Sequence, residues 1–87
     1  MYEVKFTPRA RDDLPAISAE ILKDIKDKIN WLAANAEVIK HERLQANKFK
    51  GEYSLHFGAY RVIYSLDRAK QLITIHRIAH HREVYRR

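Results

Sequence analysis

The chain contains no cysteine, only two glycines and two prolines, and no apolar run near the ~18 residues of a membrane-spanning helix. The missing thiols exclude a disulfide framework, a zinc–thiolate site and a cysteine nucleophile. Glycine stands only at positions 51 and 58, so a glycine-rich phosphate loop is excluded as well. The N-terminus, MYEVKFTPRA, alternates polar and apolar residues and has no apolar signal-peptide core. The expectation is a soluble, cytoplasmic protein without a membrane partner. Five histidines (41, 56, 76, 80 and 81) invite a metal site. However, His76 and His80 are spaced i,i+4 where strand and tail are expected, with no carboxylate cluster beside them, so neither a metal nor another cofactor is expected.

What the chain does have is charge of one sign in one place. Its 87 residues, enough for a single domain spanning 1–87, carry a net charge of +6. Residues 1–40 hold seven bases and seven acids; residues 41–87 hold ten bases and four acids. The whole excess therefore lies in the second half, which points to a polyanion or an acidic partner meeting one part of the domain.

Periodicity divides the chain into elements. Tyr2, Val4 and Phe6 alternate with Glu3 and Lys5, the pattern of a short strand. Thr7-Pro8 reads as a helix start, and Pro15 as the stop of that short helix. Ser18 caps a second helix, in which Ile21, Leu22, Ile25, Ile29, Leu32 and Ala33 form one apolar stripe ending near Asn35. Residues 37–50 have no clean period and read as a connecting loop or frayed turn. From Tyr53 the period becomes two, giving three strands with turns at Gly58-Ala59 and Asp67–Lys70 and a closing tail of coil or one helical turn. The predicted fold is α+β, with two N-terminal helices packed on a small antiparallel sheet in the order β-α-α-β-β-β.

The basic and aromatic residues gather in three segments: NKFKG (47–51), YRVIY (60–64) and HHREVYRR (80–87). If Phe57 pairs with Tyr60 across the Gly58-Ala59 turn, His56 faces Arg61 on one side of the hairpin. Tyr53, Leu55 and Phe57 then point toward the helices, and a cationic face lies on the exposed side of the sheet. Taken singly, Arg61 reads as a surface arginine, His56 as a solvated histidine and Tyr85 as a packing ring. Their convergence on one face argues for a site.

On these residues the sequence resembles the RelE/ParE superfamily of toxin–antitoxin toxins. The matching pieces are FTPRARDDL (6–14), NKFKG, GAYRVIYSLD (58–67) and IAHHREVYR (78–86). The resemblance implies a RelE-like toxin held in a hetero-oligomer by a cognate, acidic, RelB-like antitoxin. RelE-type members enter the ribosomal A site and cut mRNA without a metal; ParE-type members share the fold and poison DNA gyrase. By this resemblance Arg61 is the transition-state arginine, Tyr85 supports mRNA binding and chemistry, and Lys48 and Lys50 match basic RNA-binding positions. Arg86 and Arg87 extend the basic tail.

Three positions depart from that pattern, two on a strand and one in the tail. Ser54 and His56 stand where many RelE-type members carry lysine or arginine, and His81, with Arg82 beside it, stands at a usual arginine position. Cleavage needs a base for the 2′-hydroxyl, an acid for the leaving 5′-oxygen and cations for the phosphorane charge. Histidine, with an ordinary pKa of about 6.5, serves as either base or acid. The expected assignment is His56 as base and His81 as acid, in interchangeable roles, with Arg61 and Arg82 as phosphate stabilisers and Tyr85 stacking or orienting a base.

Overall fold

A computed structural model describes residues 1–43 and 51–84. Strand β1 (Glu3–Phe6) leads into α1 (Pro8–Asp13), a 3₁₀ turn (Leu14–Ala16) and the long helix α2 (Ala19–Asn35). Strands β2 (Glu42–Arg43), β3 (Tyr53–Phe57), β4 (Tyr60–Asp67) and β5 (Leu72–His80) follow, and α3 (His81–Val84) begins at once. The five strands form one sheet in the order β1-β5-β4-β3-β2.

Local chemistry accounts for the helix boundaries. Thr7 is the N-cap of α1, its hydroxyl accepting from Ala10 N–H at 3.1 Å, with Pro8 in the first helical position. Ser18 caps α2 in the same way through Ile21 N–H at 3.4 Å. The first helix ends at Asp13, before Pro15, and the proline sits inside the 3₁₀ turn. The α2 stripe of Ile25, Ile29, Leu32 and Ala33 is buried against Val62, Tyr64, Ile73, Ile75 and Ile78 of the sheet. Tyr53, Leu55 and Phe57 pack against the same core.

Two features differ from the sequence expectation. The sheet is mixed, because β1 runs parallel to β5 while every other pair is antiparallel. The two-helix connection sends the chain across the sheet, so the first strand meets the last one. The second difference is a short strand, β2, in a segment expected to be loop.

Strand β1 ends opposite Ile75, which would leave the rest of the β5 edge open. Helix α1 closes it. Thr7 N–H donates to Ile75 O at 3.0 Å, and the Thr7 hydroxyl reaches His76 O at 3.4 Å. At the other end of α1, Asp13 Oδ2 accepts from Ile78 N–H at 2.9 Å and from Arg77 Nε at 2.8 Å. Both side chains of this ion pair are almost wholly buried. A β-bulge lies at the same place: Ile63 pairs with Arg77 and Tyr64 with Ile75, leaving His76 as the extra residue.

A buried pair broken on one side leaves the other charge stranded. Asp13→Ala is therefore expected to lower stability by about 3 kcal/mol or more, and Asp13→Ala with Arg77→Met to recover much of that loss. Urea denaturation of the two variants checks both.

Candidate functional site

The hairpin that carries the site turns at Gly58. Its φ of +56° is in the left-handed region that glycine enters without a Cβ penalty, and Ala59 needs no such conformation. This turn sets the register: Phe57 pairs with Tyr60 and His56 with Arg61, as the sequence predicts. On β5, Ala79 is the partner of Arg61 and His80 the partner of Tyr60.

Alternation therefore puts Ser54, His56, Arg61, Ile63 and Ala79 on the face turned away from the helices. That face is less open than the sequence suggests. Ile63, Ala79, Ser54 and Arg77 are buried, Arg61 is half-buried and only His56 is exposed. The bulge contributes to this difference, since it puts Arg77 beside Ile63 and ties it to Asp13. Strict alternation along β5 contains no such step.

Two side-chain polar atoms on this face, Ser54 Oγ and Arg61 Nε, are buried without a hydrogen-bond partner among the described residues, and Arg61 is the one that carries charge. A buried N–H without an acceptor costs about 1–3 kcal/mol, and such groups in folded proteins call for an explanation. The residues around Arg61 on the ladder are His56 and Ala79, neither of which is an acid.

His81 enters the same end of the sheet from the other side. Its backbone N–H donates to Ala59 O at 2.7 Å, fastening the start of α3 to the hairpin turn. The ring and the Arg82 side chain are exposed on α3, and Arg82 N–H donates to His80 Nδ1 at 3.2 Å. His56 on β3 and the end of β5 are two strand spacings apart, roughly 10 Å, with Arg61 between them. Tyr85, Arg86 and Arg87, and likewise Lys48 and Lys50, lie outside the described residues.

Residues that single-residue reading passed over surround this site. Asp13 and Arg77 hold the last stretch of β5, which carries Ala79 and His80. Neither has a local signal, because they are 64 positions apart. Farther along, Tyr64 is buried and its hydroxyl bonds His41 Nδ1 at 2.5 Å, while His41 Nε2 donates to Ala36 O at 2.8 Å. Burial, with smaller contributions from Tyr53 and Glu42, pushes the Tyr64 phenol far above its ordinary range. Tyr64 therefore acts as a neutral donor that ties the segment after α2 to the sheet.

Residues 4–85 match the family model described as the ParE toxin of the type II toxin–antitoxin system parDE. Toxin RelG of Mycobacterium tuberculosis (strain ATCC 25618 / H37Rv) is 28% identical over 86 residues, covering 99% of this chain and 98% of that protein. In the crystal structure of the toxin–antitoxin complex RelBE2 from M. tuberculosis, the matching chain is 28% identical, with a TM-score of 0.79 and coverage of 91% of this chain and 90% of that one. The isolated E. coli RelE toxin shares the fold at 15% identity, with a TM-score of 0.75 and coverage of 99% and 97%.

Replacing Arg61 removes a buried donor, Nε, that has no acceptor among the described residues. Arg61→Met is expected to leave the folded structure intact and to raise stability by up to about 1 kcal/mol. Thermal and urea unfolding measure this; a clear loss of stability would show that the guanidinium is structural.

Proposed function

The chain belongs to the RelE/ParE superfamily of type II toxin–antitoxin toxins, and from that premise we propose that it is a ribosome-dependent mRNA endonuclease that arrests translation in the cytoplasm. The observation that carries this reading is the Arg61 guanidinium opposite His56, with its Nε buried and without a partner among the described residues. The 28% identity to Toxin RelG over nearly the full length of both chains supports it.

In this reading His56 takes the proton from a 2′-hydroxyl, and the freed oxygen attacks the neighbouring phosphorus. The bond from phosphorus to the 5′-oxygen breaks, and His81 gives that oxygen its proton. The products are a 2′,3′-cyclic phosphate and a 5′-hydroxyl end, so the proton taken is balanced by the proton given. Arg61, with Arg82 at the rim, stabilises the charge that builds on the phosphorane oxygens. Its Nε–H meets no acceptor among the described residues, so the donor needs no reorganisation when that charge develops. Tyr85 supplies a ring on which a splayed base stacks, and Lys48, Lys50, Arg86 and Arg87 hold flanking phosphates.

The partner in the resting state is an antitoxin whose acidic segment covers the basic half of the chain. The matching chain in RelBE2 is found in a toxin–antitoxin complex, which supports this. A second reading rests on the family model itself, which describes ParE toxins. Under it, the protein inhibits DNA gyrase and leaves mRNA intact.

One experiment separates the two readings. Induction of the wild-type chain is expected to produce mRNA cuts, mapped by primer extension, while Arg61→Ala and His56→Ala lose them and restore growth. Growth arrest with uncut mRNA and impaired supercoiling by purified gyrase would select the second reading.

A further inference from the structure

Building on the ribonuclease reading, we propose that His80 is a positioning residue: as a neutral imidazole it caps α3 and fixes the direction in which His81 and Arg82 face the cut phosphate. Strand β5 ends at His80 and α3 starts at His81, with no residue between them. The first N–H groups of a helix have no acceptor inside it. Here His81 N–H donates to Ala59 O at 2.7 Å, and Arg82 N–H donates to His80 Nδ1 at 3.2 Å. The second bond has the pattern of an N-cap, in which a side chain accepts from the second helical N–H.

The cap is itself held. His80 and Tyr60 are partners on the β4–β5 ladder, and their rings meet edge to face at 69° with centroids 5.9 Å apart. His80 is half-buried, whereas His81 and Arg82 are exposed. Contact therefore runs from the sheet through one ring to the helix, and the two exposed side chains project from a start fastened at two points. An imidazole nitrogen that accepts from an N–H carries no proton, so the ring proton of His80 sits on Nε2. The tautomer follows from the donor, because a backbone N–H cannot accept.

The usual capping residues are serine, threonine, aspartate and asparagine. Serine and threonine bring no ring to set against Tyr60. Aspartate caps well but places a fixed negative charge two residues from Arg82, where it competes with phosphate for the guanidinium. Neutral histidine supplies both an acceptor and a packing surface, and leaves that cation to the RNA. A displaced helix start moves two groups at once, the acid at His81 and the cation at Arg82, and a misplacement of about 1 Å costs up to ~100-fold in rate. His80→Phe keeps the ring against Tyr60 and loses the acceptor. His80→Asn keeps the acceptor and loses the ring.

Two measurements test the cap. In the first, ¹⁵N spectra of the full chain at slightly alkaline pH report the ring nitrogens of His80. Nδ1 is expected to be unprotonated and Nε2 protonated, and the Arg82 amide to exchange with water on the order of fivefold more slowly than in His80→Phe. The opposite tautomer, or equal exchange in the two chains, overturns the proposal. In the second, ribosomes programmed with one message are treated with wild type, His80→Phe and His80→Asn. In His80→Phe kcat is expected to fall on the order of fivefold with KM unchanged, and in His80→Asn to stay within about twofold of wild type. Equal kcat in the two variants, a loss confined to KM, or a loss in His80→Asn alone overturns the proposal. An uncut message with the wild-type chain would defeat the ribonuclease reading, and the His80 tautomer and the Arg82 amide would still decide the cap.

Discussion

The arrangement depends on one buried ion pair. Asp13, at the last turn of α1, holds both the Arg77 guanidinium and the backbone N–H of Ile78. Strand β5 has a neighbour strand on its outer edge only as far as Ile75. Beyond that point its backbone donors need another acceptor, because an unpaired N–H away from water costs about as much as a lost hydrogen bond. Asp13 supplies the acceptor and Thr7 secures the other end of α1. The bulge at His76 then lets Arg77 meet Asp13 while Ile78 returns to the core. With the end of β5 fixed, Ala79 backs Arg61, His80 meets the ring of Tyr60, and α3 starts against the hairpin turn.

On this scaffold the fold satisfies one cation and leaves another open. Arg77 and Arg61 are both arginines of the central strands, two rungs apart on the sheet, with Ile63 and Ala79 beside them. Arg77 has a carboxylate. Arg61 Nε has no acceptor among the described residues, although its position is set as tightly by the ladder. In the proposed ribonuclease, a guanidinium without an acceptor among the described residues is preorganised for an external anion. The charge asymmetry of the sequence takes on the same meaning. The excess cations of residues 41–87 include some that are tied down, such as Arg77 and, at the surface, Arg68 with Glu37, and others that are open.

Much of this was legible because it is local. Thr7-Pro8 and Ser18 carry their own capping chemistry, and the α2 stripe repeats at helical spacing. Gly58-Ala59 sets a two-residue turn from which the His56–Arg61 pairing follows by counting. The parallel pairing of β1 with β5 was not legible, because nothing in either strand encodes which distant strand it joins. The Asp13–Arg77 pair was hidden for the same reason, and with it the bulge. Those two features explain why the face around Arg61 is partly buried rather than open. The basic segments around Lys48 and Tyr85 are written in the sequence but lie outside the described residues.

The central claim is that Arg61 Nε–H is kept free for a phosphate. The most direct measurement is the ¹H–¹⁵N signal of Arg61 Nε in the full chain, followed during titration with a short 2′-O-methyl RNA that cannot be cut. The account predicts a saturable downfield shift of that proton, with the Arg77 Nε signal unmoved because Asp13 already holds it. RNA binding that moves other signals and leaves Arg61 Nε in place would contradict the account.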